Sequence, residues 1–385
     1  MNTGTPADLA PRLRSAADAI RDEQLAKLRE ITALDAPSGD SRTLKPVEEL
    51  LVSWLTELGG SPVLHPGPAG SCIEARFEGS GGSHRQRVVL CHFDTVWPSG
   101  TASSRPLRLD GDRISGPGVL DMRGGIVAAL GAIEILLDLA ALADPVTVVL
   151  TPDEETGSRS SLEVITRAAR SAEIVLVPEP ALPGGALKTS RKGWLSYELH
   201  TRGRAVHAGL EPESGINAID EMVDQLVELR QLVRGDVGTT VSCGLIRGGT
   251  EVNVVPDRAV ANIDIRVPDR SEETRVRGFL DGLNPVRADA GLTVELLHSR
   301  PPLERSPAIA AAAARASELG RLLGMEVGEG HAGGVSDANI AAAEGAVVLD
   351  GLGPVGGGAH AVDEWVSRDS ITDRTALIAL LLAAS

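Results

Sequence analysis

The apolar positions of this chain change period several times, and each change marks an element. ADAIRDEQLAKLREITAL, from Ala17, puts Ile20, Leu25, Leu28 and Ile31 on one side of a helix. PVEELLVSWLTELGG is a second amphipathic helix, stopped by Gly59-Gly60. RQRVVLCHFD holds a short apolar run of the buried-strand kind. MRGGIVAALGAIEILLDLAAL spaces Ile126, Leu130, Ile133 and Leu137 as a long buried helix does. Two further apolar strands, PVTVVLTP and AEIVLVPEP, follow with a helical segment between them. Apolar strands alternating with helices predict an α/β fold whose central sheet, mostly parallel, is flanked by helices.

Near Arg191 the texture changes. GWLSYELHTRG alternates like a half-exposed antiparallel strand. A helix, two strands, a second helix and the strand LTVELLHSR follow, an order that predicts a small α+β sandwich. After SRPPLERSP, an Ala-rich helix from Pro307 and the run GAVVLDGLG return to the first texture. We therefore expect a discontinuous domain, 1–190 plus 302–385, interrupted by an inserted α+β domain at 191–301.

Composition narrows the function. A chain of 385 residues exceeds one simple core, and a formal charge of −16 repels nucleic acid and anionic membrane, so neither is expected as a partner. Cys72, Cys91 and Cys243 lie far apart and spell no disulfide framework or zinc knuckle. The N-terminus has no apolar signal-peptide core, and Glu134 and Asp138 interrupt the longest apolar stretch. A cytoplasmic enzyme is the expectation.

The chemistry collects just past the strands, where open α/β sheets bind ligands. His92 and Asp94 follow Val88–Cys91, and Glu154 and Glu155 follow Val146–Leu150. Glu179 follows Ile174–Val177, and a glycine-rich loop after Ala346–Leu349 leads to His360. Asp121 stands just ahead of the long buried helix. Each piece alone has an ordinary structural reading as a loop charge or a helix cap. Gathered at one sheet edge, these acids would repel one another unless cations held them. Imidazole and carboxylate donors suit zinc, with cobalt or manganese as alternatives, and a bridging carboxylate lets two metals share the set. A glutamate left over would serve as general base.

These blocks resemble, in order, the di-zinc exopeptidase family that includes glutamate carboxypeptidase, acetylornithine deacetylase, succinyl-diaminopimelate desuccinylase and aminoacylase. The resemblance runs from about residue 20 to the end. It implies that in HFD His92 binds one metal and Asp94 orients that imidazole. In GVLDMRGG it implies that Asp121 bridges both metals and is followed by a cis peptide. In DEETG, Glu154 is implied as general base and Glu155 as ligand; Glu179 joins the His92 metal and His360 the Glu155 metal. In the inserted domain, GRAVHAGLEPESGINAI implies His207 as an oxyanion donor reaching the partner subunit's site. GGTEVNVVPDRAVANIDIR implies Asn253 and Arg266 as contacts for the substrate carboxylate or oxyanion. GGVSDAN implies Gly333 and Gly334, beside Asp337, as a substrate-side loop, and Arg300 stands where the carboxypeptidase has a substrate arginine. Arg123, where lysine is frequent, departs from the pattern, as does GGGAH in lacking a bulky residue before its histidine.

The implied activity is metal-dependent hydrolysis of an amide that releases a free amino acid, with Glu154 acting on metal-bound water. The substrate would be a small amide or peptide with a free carboxylate. The inserted domain would act as a lid and dimerisation domain of a homodimer, with hinge closure excluding water. An N-acyl-amino-acid deacylase or a dipeptidase is the alternative within the family. A pseudoenzyme that binds a carboxylate is a rival outside it, disfavoured because no ligand or base is missing. A dinucleotide enzyme is disfavoured because GPVGGG lacks the helix and acid that such a motif requires.

Overall fold

The computed structural model describes residues 5–81 and 86–384, and Arg85, at the head of the expected strand RQRVVLCHFD, lies outside them. The chain divides into two compact units: residues 1–190, 305–332 and 336–385, and residues 191–304 with 333–335. Residues 302–304 and 333–335, expected in the first unit, thus group with the second. The backbone reason at the first junction is the pairing of Leu303 with Arg191.

The first unit is built on an eight-stranded sheet. Its spatial order is Ser61–Gly67, Gly70–Phe77, Val146–Thr151, Gln86–His92, Ala172–Val177, Val348–Asp350, Leu187–Arg191, Glu329–Ala332. Val146–Thr151, Gln86–His92, Ala172–Val177 and Val348–Asp350 run parallel at its centre. Gly70–Phe77 and Leu187–Arg191 join them antiparallel on either side. Val146–Thr151 is buried throughout and Gln86–His92 nearly so, as strands covered on both faces must be. The helix Gly124–Asp138 is apolar almost all round and packs against the C-terminal helix Arg368–Ala383. A small four-stranded sheet joins Arg108–Asp110 and Arg113–Ser115 to Gly356–Gly357 and Trp365–Ser367.

Two helices replace the single one expected from Ala17. Pro6–Ala19 begins at a capping box between Thr5 and Asp8 with proline in its first turn, and Arg21–Thr32 follows after a break at Ile20. The next helix starts at Ser41, ahead of the expected Pro46, because the Asp40 carboxylate caps the amides of Arg42 and Thr43.

The second unit is a four-stranded antiparallel sheet ordered Thr240–Gly248, Arg258–Val267, Gly193–Arg202, Gly291–Arg300. The strict alternation of Gly193–Arg202 buries Leu195, Tyr197 and Leu199 in a core of their own with Met222, Leu229, Val276 and Leu280 from the helices Ala218–Leu229 and Arg270–Asp281. The opposite face carries Trp194, Glu198 and His200.

Candidate metal centre

Four of the sequence-selected groups reach the site because parallel strands end there. His92 is the last residue of its strand and is 2% exposed. Glu154 and Glu155 form a 3-10 turn just beyond Thr151. Glu179 lies two residues past Val177, and its backbone is clamped from two sides. A Cβ on Gly125 would stand 1.9 Å from the Pro178 carbonyl oxygen, and one on Gly353 would stand 2.6 Å from that of Glu179. Glycine at both places lets the buried helix and the Leu352–Pro354 loop close on the Glu179 backbone.

Asp121 sits in a turn, Val119–Arg123, at the mouth of the buried helix, and the Asp121–Met122 peptide is cis. Glu364 fixes this turn. Its carboxylate accepts from the amides of Gly118 (2.8 Å), Leu120 (2.9 Å) and Asp121 (3.1 Å) and from the Trp97 indole (3.2 Å). Burial raises the Glu364 pKa, against the pull of those donors. Sequence reasoning passed over Glu364, although it stands four residues after His360; no periodicity marks a carboxylate that serves a loop. Arg123 is buried and donates to the carbonyls of Leu34 and Pro117, so its lysine-to-arginine departure adds a second anchor for the same turn.

The ligand atoms converge as two groups that share Asp121. In the first, His92 Nε2 is 3.1 Å from Asp121 Oδ1 and 3.5 Å from Glu179 Oε1. In the second, His360 Nε2 is 3.3 Å from Asp121 Oδ2 and 3.0 Å from Glu155 Oε1. Within each group the atoms lie within 4.8 Å of one another, close enough to share one cation. His92 and Glu179 are buried and Asp121 is half-buried, whereas His360 is 49% exposed in its side chain and holds a left-handed backbone (φ 62°).

Asp94 organises the two groups from behind. It is 0% exposed, with Oδ1 3.3 Å from His92 Nδ1. It accepts from the amides of Glu154 (3.1 Å) and Glu155 (3.2 Å) and from the Ser38 hydroxyl (2.7 Å). One carboxylate thus sets the His92 ring and the Glu154–Glu155 turn together. Asp337, buried, accepts from Thr151 (2.9 Å) and Ser158, so it braces the same turn.

The electrostatics fit cations. Burial disfavours an imidazolium at His92, yet its bonds to Asp121, Asp94 and Glu179 outweigh this and lift its pKa well above the ordinary value. Asp121 and Glu155 raise His360 to about 10. Burial pushes Glu155 upward, and the two imidazoles hold Asp121 well below the usual carboxylate range despite burial. The donor set, one imidazole and one private carboxylate per group plus a shared carboxylate, suits a borderline divalent ion.

The remaining six candidates lie on the second unit. His207 is exposed, its Nδ1 accepts from the Gly209 amide at 3.1 Å, and its strand partner is Val254. The Asn253 carbonyl accepts from Ala208 N at 2.9 Å, which joins the two loops. Arg266 is largely committed: its Nε and Nη2 bond both oxygens of Asp264 at 2.8 and 2.9 Å. The spacing of Asp264 and Arg266, two apart on one strand face, announces that pair. Arg300 is 3% exposed at the end of its strand. The carbonyls of Gly334 and Val335 accept from Arg191, which holds the Gly333–Gly334 loop. A third group, Glu198, His200 and Glu295, also has the spacing for a cation, but Glu198 is already paired with His200 and Asn262 at 2.8 and 2.9 Å.

A parallel sheet ending in paired imidazole–carboxylate groups offers the donors that divalent ions take. The chain belongs to Peptidase family M20/M25/M40, whose model matches residues 88–384. It is 27% identical over 379 residues to carboxypeptidase G2 from Pseudomonas sp. (strain RS-16), covering 94% of this chain and 90% of the relative. It is 27% identical over 298 residues to acetylornithine deacetylase from Photorhabdus laumondii, covering 72% and 74%. The fold is similar to aminopeptidase PepT from Bacillus cereus, with TM-score 0.75 and 18% identity over 94% of this chain and 98% of that one. No helix among the described residues is long and apolar enough to cross a membrane.

Proposed function

We propose that this chain is a cytoplasmic glutamate carboxypeptidase-like enzyme that hydrolyses an amide and releases a free amino acid. The observation that carries the reading is the pair of cation-sized groups sharing Asp121, with Glu154 anchored to the same Asp94 that backs His92. His92, Glu179, Asp121, Glu155 and His360 would hold two divalent ions, zinc first, with cobalt or manganese as alternatives. When bound, these ions would supply a Lewis acid for the scissile carbonyl and make water easier to deprotonate. Glu154 takes the proton of the attacking water and returns it to the leaving amine.

His207 accepts at Nδ1, so a neutral ring carries its proton on Nε2 and offers it to an oxyanion. Its exposure suits delivery to a second subunit. In this reading the free edge strand Thr240–Gly248 and the exposed Val223 and Val227 form the homodimer face. Asn253 supports that loop. Arg300 and the unpaired side of Arg266 receive the substrate carboxylate, beside the Gly333–Gly334 loop.

The similarity to acetylornithine deacetylase supports an N-acyl-amino-acid deacylase as the second reading, with a dipeptidase beside it. The test is metal analysis with a panel of aryl- and folyl-glutamates, N-acetyl amino acids and dipeptides, run on the wild type and Glu154→Ala. Fastest turnover of the glutamates, lost in the variant with metal retained, supports the proposal. Preference for N-acetyl amino acids selects the deacylase, and full activity in Glu154→Ala removes the base assignment.

A further inference from the structure

A buried lysine stands against one of the proposed ligands. Lys188 lies on Leu187–Arg191 opposite Asp350, and Asp350 in turn lies opposite Val177, two residues before Glu179. Lys188 is 9% exposed and Glu179 6%. The Lys188 Nζ is 3.8 Å from Glu179 Oε2, while Oε1 of the same carboxylate is 3.5 Å from His92 Nε2. The two oxygens of Glu179 thus face two different positive partners.

An ammonium is expensive to bury, and a methionine would fill this strand position without that cost. What the lysine adds is direction. Gly125 and Gly353 already fix the Glu179 backbone, so what is left to set is the side chain, whose outer oxygen the ammonium faces. A carboxylate can meet a cation through one oxygen or both. An ammonium on Oε2 favours the first mode.

We propose that Lys188 is a positioning residue for Glu179: it holds the outer oxygen so that the inner one is presented, alone, to the cation shared with His92 and Asp121. This rests on the reading of Glu179 as a ligand. Because Glu155 belongs to the other group, the effect is confined to one of the two metal positions. Loss of a partner that orients a ligand commonly weakens metal affinity by about 10- to 100-fold.

The test is a competition titration of the metal-free protein with zinc against a chromophoric chelator, repeated with cobalt while recording its visible absorption. Wild type, Lys188→Met, Lys188→Arg and Glu179→Gln are compared, with the double variant Lys188→Met/Glu179→Gln. Wild type is expected to take two equivalents. Lys188→Met should weaken one of them by about 10- to 100-fold, leave the other unchanged and alter the cobalt spectrum, and Lys188→Arg should restore most of the loss. In the double variant the losses should not add, as expected for groups that act through one another. If Lys188→Met does not fold, Lys188→Gln is measured instead and should show a smaller loss at the same single equivalent. Two wild-type equivalents with unchanged affinities in the lysine variants overturn this inference alone; equal weakening of both equivalents, as a general structural role would give, also overturns it. A wild type that binds no metal overturns it together with the metal reading.

Discussion

Metal uptake by this centre should expel protons, and their number follows from the geometry. With Asp121 and Glu155 at 3.3 and 3.0 Å, the His360 imidazole has a pKa of about 10. At pH 7 that leaves about one ring in a thousand neutral, since each pKa unit is a factor of ten. His92 is likewise lifted well above its ordinary value by Asp121, Asp94 and Glu179. Metal binding needs the neutral ring, so loading the His360 position at pH 7 should release about one proton per chain, and the raised His92 adds to that release. Apparent affinity at the His360 position should rise about tenfold per pH unit from pH 7 to 9. The sign for the metal-free fold is the reverse. A raised folded-state pKa means that the His360 proton stabilises the fold fully below pH 6.5, and this is lost as pH rises through about 10. Isothermal titration of the apo-protein in buffers of different ionisation enthalpy counts the protons directly. Release of fewer than about one proton at pH 7, or affinity that does not change with pH, would refute the electrostatic account of the cluster.

Other substitutions separate the roles of neighbouring groups. Glu154→Gln should retain both metals while turnover falls by at least ~10²-fold, measured by metal analysis and initial rates. Asp94→Ala should weaken metal binding toward the 100-fold end of the usual range, because it releases the His92 ring and the Glu154–Glu155 turn at once; chelator competition reads this. Gly125→Ala forces a methyl to within 1.9 Å of the Pro178 carbonyl oxygen and should cost about 3 kcal/mol in denaturant unfolding, with weaker metal retention, since Glu179 is the next residue.

The part of the site that was legible in the sequence is the part that follows from strands. His92, Glu155 and Glu179 each stand a short distance beyond an apolar run, so their gathering at one sheet edge follows from parallel pairing. In the second unit the two inner strands, Gly193–Arg202 and Arg258–Val267, were legible because they alternate cleanly. Ser38 and Glu364 were not, because each is a single polar residue whose partner is far away in the chain; Lys188 was not, because no local pattern ties it to Glu179, although the two are close in sequence. The hairpin Ser61–Phe77 was missed because its outer strand is half-exposed and carries two prolines, which blur a period of two. The strands of the small sheet span only two or three residues, too few to show any period. Arg266 adds a feature that the resemblance did not supply: Asp264, two residues earlier, takes its Nε and Nη2 donors.

The central claim is that one carboxylate, Asp121, joins two cations in this cluster. Anomalous diffraction from crystals loaded with zinc tests it most directly. The account predicts two peaks per chain, one between His92 and Glu179 and one between Glu155 and His360, each within bonding distance of an Asp121 oxygen. Peaks confined to Glu198, His200 and Glu295, or a loaded crystal with none beside Asp121, would contradict it.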